Sequence, residues 1–325
     1  MQTHVIRVHA HGGPDQLQWE TLQLPPPAAG QVLLRQTAIG LNYIDTYHRS
    51  GLYPLALPSG LGCEGAGEVV DVGDGVGDLR PGDRVAYASG PLGAYADVRL
   101  FPADQLVRLP DGMGDRTAAA MMLQGMTVEY LIRRTYAVQR GQIVLLHAAA
   151  GGVGLIASQW LKHLGATVIG TAGGAAKAEL ARAHGCDHVI DYRHEDVAAR
   201  VRELTDGKGV PVVYDGVGRD TFAGSLASLA PRGLLVSFGN ASGAVEPFAP
   251  ALLSAKGSLY LTRPKLGDYI ATRAELQASA AALFDVVSSG VVRIEIGQTY
   301  ALRDAAQAHR DLEARKTTGS TVLLP

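Results

Sequence analysis

The sequence contains few of the residues that mark several large classes of protein. Only two of its 325 residues are cysteines, Cys63 and Cys186, too few for a disulfide framework or a four-cysteine zinc site. The formal net charge is only −2, so no electrostatic argument favours nucleic acid or an anionic membrane as a partner. The longest nearly apolar run, residues 143–157, is interrupted by His147 and a glycine pair and is shorter than the ~18–20 residues of a membrane span. The N-terminal residues lack the basic and apolar regions of a signal peptide. We therefore expect a cytoplasmic protein that binds neither nucleic acid nor membranes.

Apolar residues and glycine are abundant instead. Hydrophobic residues make up 47% of the chain and there are 40 glycines, a composition typical of a globular protein with many tight turns. With ~150 residues for an average domain, the length predicts two domains. Up to about residue 110, turns rich in glycine, proline and aspartate separate four β-branched or alternating segments: VLLRQTAIGL, GAGEVVDVG, DRVAYA and YADVRLF. Strands at this spacing predict a small barrel or sandwich.

The middle of the chain has a different pattern. After helical patterns in TAAAMMLQGM and VEYLIRR, short apolar strands alternate with helices of ~10 residues from Ile143 onward. This alternation predicts an α/β fold with a doubly wound parallel sheet, whose last strand carries Tyr260 and Leu261 at an edge suited to pairing. The remaining residues predict two helices and further strands, the last of them STVLLP. Because these C-terminal strands have no partner in the parallel domain, we expect them to join the N-terminal one.

A glycine-rich loop lies where the first of the parallel strands turns into a helix. It consists of three alanines followed by Gly151, Gly152, Val153 and Gly154. In this position backbone N–H groups and the positive end of a helix can face a pyrophosphate, and Gly152 would let the phosphates approach. Ala149 replaces the first glycine of the pattern G-x-G-x-x-G. The alternative is an ordinary turn between strand and helix, but the strand–helix units that follow favour a dinucleotide site.

The second strand of this domain indicates which dinucleotide is bound. NAD sites place Asp or Glu ~20 residues after the glycine loop, where it binds the ribose 2′-hydroxyl. Here the strand ends in Gly173 and Gly174 without a carboxylate, and Lys177 follows as a counter-charge for a 2′-phosphate. Tyr192, after the third strand, is placed to cover the adenosine. A solvated helix lysine is the alternative for Lys177 alone, but the missing acid and the lysine together favour NADPH over NADH.

Several motifs resemble those of one family. The segment 62–67, followed by Gly73 and Val76, is similar to the medium-chain dehydrogenase/reductase pattern G-H-E-x2-G-x5-G-x2-V. Within that superfamily the chain resembles the quinone oxidoreductases, the zeta-crystallin-like branch. Four longer segments carry this resemblance: 40–54, 147–160, 212–222 and 237–245.

This resemblance implies a fold, a reaction and an assembly. The fold is a GroES-like domain over residues 1–126, an NADPH-binding Rossmann domain over 127–265, and a return to the first domain over 266–325. The reaction is the reduction of a quinone by NADPH in a cleft between the domains, and the assembly is a homodimer joined through the nucleotide domains. No metal is expected, because Cys63 and Asn42 occupy positions where zinc-dependent relatives have a histidine and a cysteine ligand.

The resemblance also implies which residues form the site. A loop with Asn42, Tyr43, Asp45 and Tyr47 would follow the nicotinamide ribose, and the alternative is a turn held by the Asn and Asp side chains. Tyr47 and Tyr53 are the candidates for substrate binding or proton donation, with loop packing as the alternative for Tyr53. The other candidates for cofactor binding are Thr127, Tyr130, Gly151, Gly152, Val153, Gly173, Lys177, Tyr192, Phe238, Gly239, Asn240, Arg263 and Gly319.

Other interpretations stay open at this stage. Tyr130 is compatible with core packing, Arg263 with a structural role, and His147, in a buried strand, is expected to be structural. A quinone needs little help from a general acid, since the anion formed is delocalised, and the sequence shows no tuned acid pair. An NADPH-dependent enone or enal reductase would use the same hydride but needs a proton at the α-carbon. A third possibility is a crystallin-like protein that binds NADPH without turnover.

Overall fold

The structure is a computed structural model that describes residues 1–325. The strands, in chain order, are β1 (Gln2–Val8), β2 (Leu17–Gln23), β3 (Gln31–Leu41), β4 (Ser59–Gly60), β5 (Glu64–Val72), β6 (Arg84–Ala88), β7 (Val98–Pro102), β8 (Val107–Arg108), β9 (Ile143–Leu146), β10 (Thr167–Ala172), β11 (His188–Asp191), β12 (Val210–Asp215), β13 (Leu229–Ser237), β14 (Tyr260–Thr262), β15 (Ile296–Ala301) and β16 (Ser320–Leu324). The α-helices are α1 (Tyr43–Ser50), α2 (Asp115–Ala119), α3 (Met122–Tyr130), α4 (Gly152–His163), α5 (Ala175–Ala183), α6 (Val197–Leu204), α7 (Phe222–Ser228), α8 (Ala251–Ala255), α9 (Leu266–Tyr269), α10 (Arg273–Ser288) and α11 (Ala305–Glu313). None of these helices has the length and apolar character needed to cross a membrane.

The chain divides into two compact units. The first comprises residues 1–126, 269–284 and 294–325, and the second comprises residues 127–268 and 285–293. The second unit therefore includes the end of α10 and the turn after it, which the sequence placed in the returning segment. The physical reason is a pair of hydrogen bonds within this unit: Gln159 on α4 donates to the Arg293 carbonyl (3.0 Å) and accepts from the Arg293 N–H (2.9 Å).

The first unit is built on β-sheets. Its main sheet has the order β15-β16-β3-β5-β6-β8, with β7 also paired to β3, and a smaller sheet has the order β2-β1-β4. The C-terminal strand β16 runs antiparallel to β3, with Val322 opposite Gly40. Alternating residues of these strands fill one core, which includes Leu34, Ile39 and Phe101.

The second unit is a parallel sheet covered by helices. Its six strands have the order β11-β10-β9-β12-β13-β14, and every neighbouring pair is parallel. The short apolar strands are buried on both faces, as crossover helices require, and Leu145, Ile169 and Val213 lie in the core. The strand order reverses between β9 and β12, which is where ligands bind in open sheets of this type. The predicted α/β class with a doubly wound sheet and a β-rich part is confirmed.

Two local predictions were wrong, and one element was missed. Residues 43–47 do not lie in a loop but form the start of α1, with Asn42 as its N-cap, and the N-terminal hairpin of β1 and β2 was not predicted. The sequence predicted one helix in TAAAMMLQGM and a second in VEYLIRR. In the structure the helical region after residue 114 instead breaks at residues 120–121, inside the first of these segments. Gly125 lies inside α3. A glycine is needed at this position because a Cβ would overlap the Leu283 side chain.

Candidate functional site

The glycine loop joins β9 to α4 through a sharp turn. Ala148 has a φ of +53°, and a Cβ at Gly154 would lie 2.7 Å from Ala149 Cα, so helix and loop are in close contact. Gly151 is the N-cap of α4, and Gly151, Gly152 and Val153 are all partly exposed. The N–H groups of a first helical turn have no acceptor within the helix. This arrangement fits a pyrophosphate at the start of α4.

A basic cluster lies at the end of the neighbouring strand β10. Lys177 is in the first turn of α5, half-buried, and Tyr192 packs on Gly173, where a Cβ would lie 2.5 Å from the Tyr192 hydroxyl. Arg193 lies beside the same turn, because a Cβ at Gly174 would be 3.0 Å from Arg193 Nη1. Arg193 was not among the predicted site residues, although it directly follows Tyr192 in the sequence. Two cations and an exposed tyrosine ring at one turn fit a phosphorylated adenosine ribose.

The carboxylate of Asp191 supports this turn. Asp191 Oδ1 accepts hydrogen bonds from the N–H groups of Arg193 (3.1 Å) and Gly174 (3.1 Å). These two bonds lower the pKa of Asp191 below its ordinary value. The Asp191 carboxylate thus fixes the backbone at Arg193 and at Gly174, which directly precedes the helix that carries Lys177.

The turns after β12 and β13 pack directly on each other. A Cβ at Gly216 would lie 3.0 Å from the Phe238 ring, and one at Gly239 would overlap the Gly216 carbonyl. Arg263 Nη1 donates to the carbonyls of Ser237 (3.1 Å) and Gly239 (2.9 Å). Arg263 therefore holds this turn, which is the structural role left open above, and its contact with a phosphate stays a prediction.

Asn240 joins the Arg263 contact. In the amide orientation that satisfies both neighbours, the Asn240 oxygen accepts from Arg263 Nη2 (3.0 Å) and the nitrogen donates to the Gly239 carbonyl (3.0 Å).

Thr127 and Tyr130 lie in α3, and of these Thr127 is partly exposed whereas Tyr130 is buried. Burial supports the core interpretation of Tyr130.

In the first unit, α1 positions several of the predicted residues. Asn42 precedes the helix and donates its N–H to Asp45 Oδ2 (2.9 Å), which caps the first turn. Asp45 Oδ2 also accepts from the Tyr95 hydroxyl (2.9 Å), and Cys63 Sγ lies 3.9 Å from Oδ1. Asp45 is completely buried, and burial raises its pKa to about 7. Its side chain therefore acts within the protein as a support of α1.

A buried hydrogen-bond network fixes the Asn42 amide. Asn42 Nδ2 donates to Glu64 Oε2 (2.6 Å), and Asn42 Oδ1 accepts from Gln124 Nε2 (3.1 Å). Gln124 in turn accepts from Ser320 Oγ (2.6 Å). Glu64 also accepts the N–H of Leu123 (2.8 Å) and so caps α3. Burial raises the pKa of Glu64 to about 8.

Three tyrosines cluster on α1 and the turn after it. The ring centroids of Tyr43 and Tyr47 are 6.3 Å apart, and those of Tyr47 and Tyr53 are 5.2 Å apart in an edge-to-face arrangement. Tyr43 donates its hydroxyl to the Leu312 carbonyl (3.0 Å), whereas Tyr47 is nearly buried and Tyr53 is partly exposed. The cluster offers aromatic faces and edges of the kind that flat apolar ligands bind.

Local packing explains why residue 319 is a glycine. Its φ is +57°, and a Cβ there would overlap the Glu295 carbonyl of the neighbouring segment. The close packing of β15 on β16 thus requires a glycine at this position, whatever it contacts in a complex.

The residues present do not form a zinc site. No group of three or more His, Cys, Asp or Glu side chains comes close enough together to hold a metal ion. Cys63 is buried, and burial raises the pKa of its thiol well above the ordinary range, which opposes the thiolate that zinc requires.

Comparisons with known proteins decide the family. Residues 152–282 match the family model described as zinc-binding dehydrogenase, and residues 28–111 match the alcohol dehydrogenase GroES-like domain. A quinone oxidoreductase of Pseudomonas aeruginosa is 57% identical over 98% of this chain and 99% of its own length. The chain belongs to the quinone oxidoreductase family. This confirms the resemblance drawn from the motifs and makes the protein an oxidoreductase.

Two further members of this comparison bear on the chemistry. The crystal structure of Escherichia coli quinone oxidoreductase complexed with NADPH superimposes with a TM-score of 0.98 at 51% identity, covering 99% of this chain and 100% of that one. A 2-haloacrylate reductase of a Burkholderia species is 47% identical over 98% of both chains. The description of one family model names zinc, whereas this chain brings together no group of three or more His, Cys, Asp or Glu side chains that could hold it.

Proposed function

We propose that this protein reduces quinones with NADPH and without zinc. The observation that carries the proposal is the match along nearly the whole chain to quinone oxidoreductases, one of which has a structure described as complexed with NADPH. The absence of a ligand set for zinc and the raised pKa of the Cys63 thiol support a reaction that needs no metal.

The second unit supplies the groups that fit NADPH. The start of α4, at Gly151, Gly152 and Val153, would hold the pyrophosphate. The 2′-phosphate would lie between Lys177 and Arg193, and the remaining adenosine contacts would come from Gly173 and Tyr192. Bound NADPH supplies a hydride from its nicotinamide ring, and the protein orients it and excludes water.

The other predicted residues are assigned to the nicotinamide half and the acceptor. Tyr47 and Tyr53 would bind the quinone through their rings, and little proton donation is required because the reduced quinone is a delocalised anion. Asp45 would act indirectly, through the cap of α1. The proposed contacts of the nicotinamide half are Asn42, Tyr43, Tyr47, Thr127, Phe238, Gly239, Asn240, Arg263 and Gly319, whereas the buried Tyr130 would act only through the packing of α3.

We also propose a homodimer in the cytoplasm. The support for the dimer is β14, the last strand of the parallel sheet, whose outer edge is unpaired. Tyr260 and Leu261 on this strand are 62% and 37% exposed, unusual values for large apolar side chains. An exposed apolar strand edge is a template for pairing with a second copy.

Reduction of an activated alkene is the second candidate. It is favoured by one observation, the 47% identity to a 2-haloacrylate reductase over 98% of both chains. Such a substrate takes hydride at carbon and needs a proton at the α-carbon, so a tyrosine hydroxyl would matter more than it does with a quinone.

Initial rates of NADPH oxidation distinguish these functions. The acceptors to compare are 1,4-naphthoquinone, an α,β-unsaturated aldehyde and 2-chloroacrylate, each with wild-type protein and with Tyr53→Phe. We expect fast turnover of the quinone alone, with a loss of less than about tenfold in Tyr53→Phe. Turnover of only the aldehyde or the haloacrylate would replace quinone reduction by alkene reduction. Tight NADPH binding without turnover of any acceptor would instead support a protein that binds NADPH without catalysing its oxidation.

A further inference from the structure

A continuous chain of buried side chains runs beneath the edge of the parallel sheet where the strands end. His147 Nδ1 lies 3.1 Å from Thr171 Oγ1, and His147 Nε2 lies 3.0 Å from Ser225 Oγ. Ser225 Oγ lies 2.7 Å from Asp215 Oδ2. All four residues are nearly inaccessible to solvent. The chain therefore crosses from β10, past β9, to α7 and the end of β12.

The donors and acceptors in this chain have only one consistent direction. Ser225 uses its proton on Asp215, so its oxygen accepts from His147 Nε2–H. A neutral imidazole that donates from Nε2 accepts at Nδ1, so Thr171 donates its proton there while its oxygen accepts the N–H of Ala148 (3.3 Å). His147 is therefore neutral with its proton on Nε2, and burial lowers its pKa in agreement.

Each end of the chain holds a turn. At one end Thr171 binds the N–H of Ala148, the residue with positive φ that opens the glycine loop. At the other end Asp215 Oδ1 accepts the N–H groups of Val217 (2.8 Å) and Gly218 (3.1 Å). The second turn carries Gly216, against which Phe238 and Gly239 pack.

Simple core packing does not account for these residues. A buried polar side chain costs free energy unless it is fully hydrogen-bonded, and an apolar residue fills a strand end without that cost. Here an imidazole, two hydroxyls and a carboxylate are all satisfied, and the bonds through His147 and Ser225 lead from one turn to the other, while Thr221 also donates to Asp215. A network of this kind selects one relative position of the two turns.

We propose that His147 is a positioning residue that sets the glycine loop and the 216–218 turn in one geometry, so that the pyrophosphate and nicotinamide halves of the dinucleotide are bound together. The proposal rests on the proposed use of NADPH. The adenosine end is outside the network, because Gly173, Lys177 and Arg193 make none of its hydrogen bonds. Loss of His147 is thus expected to weaken NADPH binding while the adenosine contacts persist.

The test compares NADPH with adenosine 2′-monophosphate, which keeps the adenosine and its phosphate but lacks the pyrophosphate and the nicotinamide. Dissociation constants of both are measured by calorimetry for wild-type protein, His147→Phe, His147→Gln and Ser225→Ala. We expect His147→Phe and Ser225→Ala to raise the Kd of NADPH about tenfold, the effect of losing one buried hydrogen bond, and to leave that of the monophosphate unchanged. His147→Gln retains a donor and an acceptor and should recover most of the affinity.

The controls separate this inference from the function on which it rests. His188→Gln changes an exposed histidine of the same sheet and should change neither constant. If wild-type protein binds the monophosphate but not NADPH, the proposed function fails. If NADPH binds the wild type and Ser225→Ala loses affinity for both ligands equally, or for neither, the positioning role is overturned. Ser225→Ala removes a single hydroxyl, so the test remains valid even if His147→Phe does not fold.

Discussion

At the scale of single residues, Lys177 and Arg193 are the side chains that we propose to recognise the 2′-phosphate of NADPH. The sequence predicted Lys177 and Tyr192 because the strand before them ends without a carboxylate. It did not predict Arg193, since only the turn after β11, held by Asp191, brings that guanidinium beside Gly174. A tertiary contact of this kind has no periodic signal in the chain. The glycines, the lysine and the tyrosine that follow strand ends could be predicted, whereas the approach of the Arg193 guanidinium to Gly174 could not.

Replacing either cation by alanine should reduce the preference for NADPH. A charge-assisted hydrogen bond to phosphate contributes about 1.5–3 kcal/mol, so Lys177→Ala or Arg193→Ala should raise the KM for NADPH at least about tenfold. The KM for NADH should barely change, because NADH lacks the 2′-phosphate. Arg182→Ala, an exposed cation at the other end of α5, is the matched control in steady-state kinetics. Equal effects on both cofactors would refute the assignment.

Helices α1 and α3 show what sequence patterns capture at the scale of elements. The helices of the parallel domain were predicted from their alternation with strands. Helix α1 was not, although Asn42 and Asp45 have the spacing of an N-terminal cap. The start of α3 depends on Glu64, which is distant in sequence and reaches the Leu123 N–H only in the folded sheet. Local signals therefore revealed elements with periodic faces and missed those whose ends are set by tertiary contacts.

The raised pKa of Glu64 predicts how stability depends on pH. Burial moves this pKa from 4.5 to about 8, so between these values the folded state keeps a proton that the unfolded state has released. The contribution of Glu64 to the free energy of unfolding must then fall as the pH rises from about 5 to about 8, by up to ~1.4 kcal/mol per pH unit. Glu64→Gln removes this contribution and should show a shallower decline, measured as urea midpoints at four pH values. The exposed Glu68 on the same strand provides the control, Glu68→Gln, which should decline like the wild type. Parallel declines in the wild type and Glu64→Gln would show that the carboxyl does not titrate in this range.

At the scale of the whole molecule, much of the organisation was already present in the sequence. Length, turn-rich strands and a later alternation of strands and helices predicted a β-rich part and a doubly wound sheet, and the motif starting at Gly62 predicted the family. The assignment of residues 285–293 to the second unit was not predictable, because it depends on hydrogen bonds between Gln159 and Arg293. Pattern gives the order of the elements, and long-range polar contacts decide where a connecting segment belongs.

The edge of β14 predicts how the molecule assembles. If two copies pair through this strand, Leu261→Lys should convert a dimer to a monomer, because a lysine at an apolar pairing edge must lose its hydration. Molar mass from light scattering after size exclusion measures this directly. Leu52→Lys changes another exposed leucine, 42% accessible, and should leave the mass unchanged. A monomeric wild type, or a dimeric Leu261→Lys, would rule out this edge.

The most direct test of the central claim is the initial rate of 1,4-naphthoquinone reduction by protein treated with a strong chelator, with NADPH and NADH compared. We expect chelation to leave the rate unchanged and kcat/KM to be at least about tenfold higher with NADPH, because two cations bind the 2′-phosphate. A rate that disappears on chelation and returns with zinc would contradict the zinc-free reaction. Equal rates with the two cofactors would contradict the role given to Lys177 and Arg193.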